Sequence, residues 1–230
     1  FEAHGFDEVI LLTEEEARKD AILKALARVK EEGQEDDLVV FFYAGHGATI
    51  RTKDDETMGY LVPINCRRGH EEEEGISMGT LTQMAKAMPH RHTLFLMDAC
   101  YSGLGLSDAR RVAKTSKRSK TTSRSKDVLA GARGRSVQVL TAGGSMDKAF
   151  EADGHGLFTR QVLNCLRGLS PESKDGIISG REIAMRVKSK VKAETGGWQN
   201  PQFGSQGSGD VVFTLGRVDS VAGTAVAMAN

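Results

Sequence analysis

The chain has no net charge and no long hydrophobic run. Its 31 Lys and Arg residues balance 31 Asp and Glu residues over a length of 230, so no overall electric field favours nucleic acid or an anionic membrane as a partner. No apolar stretch approaches the ~18–20 residues that a membrane span needs, and no signal peptide is recognisable. The sequence therefore predicts no membrane association, and its length predicts one domain with a large core.

Cysteine is scarce, and its spacing argues against two of its common uses. The three cysteines, Cys66, Cys100 and Cys165, are odd in number and far apart. A disulfide framework is therefore not expected, and a reducing compartment, the cytoplasm, is predicted instead. No Cys/His spacing typical of a zinc site occurs. The four consecutive carboxylates of residues 71–74 predict a solvated acidic loop. A cation site is the alternative, although the alternation of a calcium-binding loop is missing there.

Two apolar runs end in small-residue turns, one carrying a histidine and the other a cysteine. Residues 38–43 lead into Gly45-His46-Gly47, and residues 94–97 lead into Asp98-Ala99-Cys100. Such runs predict strands buried on both faces, and open α/β sheets keep their active sites at the carboxyl ends of the strands. A His and a Cys at one such edge are the minimal equipment for thiolate nucleophilic catalysis.

Each half of this pair has a structural interpretation when it is taken alone, and only the combination favours catalysis. Glycines on both sides of His46 let the backbone bend sharply, and the N–H groups of Gly47 and Cys100 could together bind a developing oxyanion. Cys66 and Cys165 are predicted to be structural. His155 is predicted to be a cap or packing residue, and the other histidines lack a comparable context: His4, His70, His90 and His92.

Asp98 is predicted to bind substrate rather than to activate the thiol. Strand alternation puts residues 98 and 100 on the same side, and a carboxylate that close would disfavour the thiolate. Its presence makes sense if it receives a cationic substrate side chain. Glu151 follows the next strand and could reach the same pocket, and two carboxylates suit an Arg or Lys at the cleavage point.

The remaining pattern alternates strands with helices and predicts an α/β fold with a mostly parallel sheet. Thr13 followed by Glu16 fits a capping box that would start the first helix. Predicted loops cover residues 48–58 and 199–209, and a last strand is predicted at 210–215. Further strands are expected at 6–12, 60–63 (short at best) and 136–141, and further helices at 76–88, after residue 156 and after residue 179.

A basic segment interrupts this pattern. Residues 109–126 combine many Lys and Arg residues with Ser and Thr, and they contain no acidic residue. The segment has too little apolar content to pack, so a disordered linker is predicted over 109–135. Binding to nucleic acid or acidic lipid is the less favoured alternative.

The two strand-end motifs resemble the His and Cys motifs of metacaspases and caspase-like peptidases. These motifs are Tyr43-Ala44-Gly45-His46-Gly47 and Asp98-Ala99-Cys100-Tyr101-Ser102-Gly103, about 50 residues apart. The resemblance covers roughly residues 5–215 and implies the caspase fold of clan CD, a three-layer sandwich with a mostly parallel central sheet flanked by helices. Family members begin with a further strand and helix that have no counterpart in this sequence. Smaller matches lie at 36–37, 60–63, 154–159 and 199–202.

The resemblance also implies roles for individual residues. His46 would be the general base, Cys100 the nucleophile, and the N–H groups of Gly47 and Cys100 the oxyanion hole. Asp98 and Glu151 would line the S1 pocket of the branch that cleaves after Arg or Lys, so the expected partners are protein or peptide substrates with such a P1 residue. Nucleic acid is not an expected partner.

The family's subunit division gives the expected organisation of the chain. Residues 1–108 resemble the large subunit, 136–217 resemble the small subunit, and 218–230 are predicted to be a tail. The basic linker at 109–135 resembles the segment that many members cut themselves. Calcium-dependent members carry acidic residues where this chain has none at 76–81, so no cofactor and no calcium requirement are expected. The alternative function is a catalytically weak or inactive caspase-fold scaffold in a signalling or cell-death complex.

Overall fold

The computed structural model describes residues 6–51, 57–100, 124–143, 151–152, 155–170, 175–215 and 221–229. For some of these, including Cys100, Glu151 and residues 221–229, it describes the backbone alone. The strands are β1 (Phe6–Thr13), β2 (Leu38–Ala44), β3 (His46–Arg51), β4 (Thr57–Val62), β5 (Ile76–Ser77), β6 (His92–Cys100), β7 (Ser136–Gly143), β8 (Glu151–Ala152), β9 (His155–Gly156), β10 (Ile177–Ser179), β11 (Gln202–Gly207), β12 (Val212–Thr214) and β13 (Val221–Ala229). The α-helices are α1 (Lys19–Glu32), α2 (Glu71–Glu74), α3 (Met78–Ala87), α4 (Arg124–Gly131), α5 (Leu157–Leu166) and α6 (Gly180–Glu194).

A six-stranded sheet in the order β1-β13-β2-β6-β7-β11 forms the centre of the molecule. The first five strands run parallel to their neighbours, and β11 pairs antiparallel with β7 at the edge. A second, three-stranded sheet joins β3, β4 and β5 beyond the end of β2. The predicted mostly parallel sheet is therefore confirmed, with one antiparallel strand added.

Helices cover both faces of this sheet. Alternate residues of β2 and β6 face opposite sides, as the period of a strand requires. One apolar cluster packs α1 and α3 onto Val39, Phe41, Phe95 and Met97. The other packs α5 and α6 onto Val40, Leu94 and Leu96. Two helical layers around one buried sheet make the three-layer sandwich that the sequence predicted.

The C-terminal segment was predicted to be a tail, and this prediction was wrong. β13 lies between β1 and β2 and pairs with both, so the last strand of the chain occupies an interior position of the sheet. Its sequence, VAGTAVAMA, alternates small residues with β-branched ones and methionine. Its backbone groups find partners on both sides, and this pairing explains why a weakly patterned segment forms a strand.

Other corrections concern segments that were predicted from polarity alone. Part of the predicted loop at 48–58 is β3, which pairs antiparallel with β4, and part of the predicted loop at 199–209 is β11, which pairs with β7. The capping box at Thr13 is absent, because Glu14–Glu16 form a short 3-10 helix without a side-chain cap and α1 begins only at Lys19. For the two predicted loops, pairing with strands distant in sequence decided the observed state.

The predicted linker is only partly described. Residues 101–123 lie outside the described residues, so disorder there stays a prediction, as does the division of the chain into two subunit-like parts. The end of the predicted linker is ordered, since α4 occupies Arg124–Gly131. Its end is secured by a backbone hydrogen bond, in which the Asp210 N–H donates to the Gly131 carbonyl at 2.9 Å. The His92 side chain adds a second contact, with Nε2 lying 2.8 Å from the Ala132 carbonyl oxygen.

Candidate active site

The register of β2 on β6 brings the two predicted motifs to one edge of the sheet. Ala44 pairs with Asp98 in this parallel ladder, and the Gly45 N–H donates to the Asp98 carbonyl at 3.3 Å. His46 and Cys100 each stand two residues beyond that pair, at the carboxyl ends of neighbouring strands. This is the edge at which parallel α/β sheets bind their ligands.

A buried tyrosine fixes the backbone at His46. The Tyr43 side chain is fully buried, and its hydroxyl lies 2.9 Å from the carbonyl oxygens of both His46 and Val62. His46 itself is the first residue of β3 and pairs with Val62 across to β4, while its imidazole is exposed. The sequence did not indicate that Tyr43 holds this backbone in place, because the Val62 carbonyl lies on β4, which was predicted only as a short strand.

Gly47 follows in β3 and pairs with Leu61 of β4. Leu61 is fully buried in the cluster under α1 and α3, so the strand that carries Gly47 is secured to the core on one side. Gly47 is partly exposed, three residues beyond the end of β2. Its predicted part in an oxyanion hole stays a prediction.

Cys100 is the last residue of β6, where the ladder to β7 is irregular. Met97 pairs with Thr141 and Cys100 with Gly143, so three steps along β6 match two along β7. Such an irregularity re-aims the residues that follow it. The predicted common side for residues 98 and 100 assumed a regular strand, and the Cys100 side chain lies outside the described residues, so that point stays a prediction.

The carboxylate of Asp98 points towards the face of the sheet that α5 and α6 cover. Thr159 of α5 donates its hydroxyl to Asp98 Oδ2 at 2.5 Å. Glu151 is in the short β8–β9 hairpin, where it pairs with Gly156, the residue just before α5. The backbone of Glu151 and the side chain of Asp98 thus approach the same helix start, and neither Thr159 nor Gly156 was identified from the sequence as part of the site.

The other two cysteines have environments unlike that of a nucleophile. Cys165 is buried within α5, in the apolar cluster under α6. Burial raises the pKa of the Cys66 thiol, and Glu71 and Glu74 raise it further, so its reactive thiolate is disfavoured. Both observations agree with the structural roles predicted for Cys66 and Cys165.

The acidic run at 71–74 is the short helix α2. Glu74 accepts hydrogen bonds from the Arg67 guanidinium and the Arg67 N–H, and these bonds lower the pKa of Glu74 to about 2. Within the described ranges, no group of three or more His, Cys, Asp or Glu residues could hold a metal ion. Independence from calcium and from other cofactors stays a prediction.

Comparison with known proteins agrees with this geometry. Residues 1–212 match the profile of the caspase domain, Peptidase_C14. The chain belongs to the caspase-domain family. The fold of this family is that of cysteine peptidases, which act on proteins, and the resemblance inferred from the two motifs is thereby confirmed at the level of the family.

Solved structures add evidence on the fold. The caspase-domain chain is similar to protein GSU0716 from Geobacter sulfurreducens, with 15% sequence identity and a TM-score of 0.52 over 84% of this chain and 74% of the other. At this identity the likeness concerns the fold alone. No curated protein matches the sequence. None of the helices in the described part of the chain is long and apolar enough to cross a membrane.

Proposed function

We propose that this caspase-domain chain is a cysteine endopeptidase that cleaves after Arg or Lys, with His46 and Cys100 as its catalytic pair. The observation that carries the proposal is the register of β2 on β6, which brings the backbones of both residues to the carboxyl edge of the sheet. The Gly45 hydrogen bond to the Asp98 carbonyl ties the two strand ends directly.

The mechanism is acyl transfer through a thioester. His46 accepts the thiol proton of Cys100, and the sulfur attacks the carbonyl carbon of the scissile peptide bond. The N–H groups of Gly47 and Cys100 bind the resulting oxyanion. The C–N bond then breaks, and the leaving amine takes a proton from the imidazolium. Water, deprotonated by His46, attacks the thioester, releasing the acid product and the thiol.

The carboxylates of Asp98 and Glu151 select the P1 residue in this proposal. An Arg side chain can bind a carboxylate through two parallel hydrogen bonds, and a Lys side chain binds as a point charge. The basic linker at 109–135 is rich in such residues, so the chain itself is a candidate substrate. Substrates in general are proteins or peptides with a basic P1 residue.

Mass spectrometry of the incubated protein tests this proposal. We expect cuts after Arg or Lys within residues 109–135, and none in Cys100→Ala. Cys66→Ala is the matched control, since it removes a thiol outside the proposed site and should be cut like the wild type. Cuts that persist in Cys100→Ala would exclude this nucleophile, and cleavage of reporter peptides after Asp but not after Arg would exclude the P1 assignment.

A thiol-reactive active-site probe separates a peptidase from the alternative, a non-catalytic scaffold. Selective labelling of Cys100 over Cys66 is expected for the peptidase, because His46 favours the thiolate of Cys100 whereas burial and two carboxylates disfavour that of Cys66. Equal or absent labelling of Cys100 would favour the scaffold.

A further inference from the structure

The Asp98 carboxylate lies beside the first turn of α5. The N-cap position of this helix is Gly156, which has no side chain to accept a hydrogen bond from the first turn. Asp98 comes from the neighbouring strand β6, and its Oδ2 accepts from the hydroxyl of Thr159, the third residue of the helix, at 2.5 Å. A carboxylate in this position gains from the partial positive charge at the helix N-terminus.

The absence of a side chain at Gly156 leaves space for the Asp98 carboxylate. A Cβ at position 156 would lie 2.5 Å from Asp98 Oδ2 and 3.2 Å from both Cγ and Oδ1, so the Asp98 carboxylate would have to shift to accommodate it. The backbone angles of Gly156, φ −56° and ψ 142°, are open to any residue. Its glycine character is therefore explained by the close approach of the carboxylate, and the same residue pairs with Glu151 in the hairpin.

We propose that Thr159 and Gly156 are positioning residues of the specificity pocket, which orient the Asp98 carboxylate and keep it ionised to receive a basic P1 side chain. This inference rests on one part of the proposed function, the role of Asp98 in the pocket for a basic P1 side chain. Thr159 fixes one carboxylate oxygen, Gly156 sets how closely the helix approaches, and the hairpin brings the backbone of Glu151 to the same point. A hydrogen bond to an ionised group is typically stronger than one between neutral groups.

The test compares Thr159→Val, which removes the hydroxyl at nearly constant volume, with Thr159→Ser, which keeps it. The substrates are reporter peptides with Arg at P1 and with citrulline, its neutral isostere. We expect Thr159→Val to lower kcat/KM for the Arg peptide about tenfold, mainly through KM. The citrulline peptide should change little, and Thr159→Ser should recover most of the loss.

Two further readouts distinguish positioning from simple capping of α5. In Thr159→Val the acid limb of kcat/KM should move to higher pH, because the ionised carboxylate has lost a donor. Gly156→Ala should reduce the Arg-to-citrulline ratio in the same way. Thr214→Val, at an exposed position of β12, is the matched control and should leave both the ratio and the pH profile unchanged.

Binding of benzamidine, an aryl amidine that mimics the Arg side chain, makes the test independent of turnover. If the wild type binds benzamidine and Thr159→Val binds it more weakly, the inference stands even for a chain without peptidase activity. If the wild type hydrolyses the Arg peptide and Thr159→Val lowers only the melting temperature, the inference is wrong and the peptidase function stands. If the wild type neither cleaves nor binds, both are wrong.

Discussion

At the scale of single residues, His90 combines deep burial with unpaired polar atoms. It is 1% exposed, and neither ring nitrogen has a hydrogen-bond partner in the described part of the chain. The ring packs so closely on the end of α1 that a Cβ at Gly33 would lie 1.7 Å from Nε2. Burial lowers the pKa of His90, Asp37 opposes this effect and Arg135 adds to it. The folded protein therefore holds this ring neutral at neutral pH.

The free energy of unfolding should consequently depend on pH through His90. The unfolded chain binds a proton at this residue below about pH 6.5, whereas the folded chain binds it only at a lower pH. The contribution of the neutral ring is thus fully present above that value and is lost as the pH falls. Urea denaturation between pH 7.5 and 5 should show this decrease.

The variant His90→Leu isolates that contribution. It should reduce the slope of unfolding free energy against pH without abolishing it, because burial also lowers the pKa of His92. His92→Leu provides the comparison, and the two variants combined should flatten the profile further than either alone. A slope in His90→Leu equal to that of the wild type would contradict the assignment.

The sequence located the residues whose role follows from local pattern. His46 and Cys100 each end an apolar run, so their common edge could be predicted from strand direction alone. Tyr43, Gly156 and Thr159 could not be identified in this way, because each acts on a partner from another element. His90 is a similar case, since an isolated histidine in a turn gives no sign of the backbone that packs on it.

At the scale of elements, Arg135, the last residue of the predicted linker, connects the end of that linker to α3. Its Nη2 lies 3.3, 3.0 and 2.6 Å from the carbonyl oxygens of Ala85, Lys86 and Met88. The carbonyls of Ala85 and Lys86 belong to the last turn of α3 and that of Met88 follows directly, and a cation is favoured at this end of the helix dipole. Arg135 immediately precedes β7, so it holds the start of that strand against α3.

Arg135→Ala should lower the free energy of unfolding by about 1–2 kcal/mol, below most hydrogen bonds to a charged group because the Arg135 side chain is exposed to solvent. Arg133→Ala is the matched control, because Arg133 is an exposed arginine two residues earlier. It should change the stability by less than about 0.5 kcal/mol. Chemical denaturation of both variants gives the comparison, and equal effects would show that the α3 carbonyls gain little from Arg135.

The elements that sequence patterns predicted well are those buried on both faces. β2 and β6 contain apolar runs and β7 is buried along its whole length, whereas β3 and β11 are polar and glycine-containing and are held by backbone pairing. Such strands carry little signal of their own, because their hydrogen-bond partners and not their side chains decide their state. The segment Glu14–Glu16 is the opposite case. Its sequence has a local capping pattern, yet it forms a 3-10 helix in which the Thr13 side chain makes no capping hydrogen bond.

At the scale of the whole molecule, β13 is what connects the first strand to the rest of the sheet. β1 pairs with β13, and β13 pairs with β2, so β1 has no direct ladder to the strand that carries the His46 motif. α1 also packs near both β1 and β13. The class of fold was predictable from alternating strands and helices, but this position was not, because it depends on pairing between opposite ends of the chain.

Removal of residues 216–230 should therefore loosen β1 and β2 together. We expect a melting temperature lower by about 10 °C or more, corresponding to several kcal/mol, and faster hydrogen exchange at the amides of both strands. A synthetic peptide of residues 216–230 should restore part of the protection.

A single-residue version of this experiment tests the pairing itself. Val226 stands opposite Ile10 of β1 and Phe41 of β2, and Val226→Pro removes a backbone donor from this interior strand. Val226→Ile keeps the donor and is the matched control. Unchanged exchange of β1 and β2 amides in both Val226→Pro and the truncated chain would show that β13 does not contribute to the sheet in solution.

The interior position of β13 also has a consequence for biosynthesis. A ribosome adds about 5–20 residues per second and releases the N-terminal part of a chain first, so β1 emerges long before β13, with which it pairs among the described strands of the central sheet, has been translated. The β1–β13 and β13–β2 ladders can close only after residues 221–229 have left the exit tunnel. The sheet edge that carries His46 would then reach its final form only once the residues of β13 have emerged, although β1 and β2 were made long before.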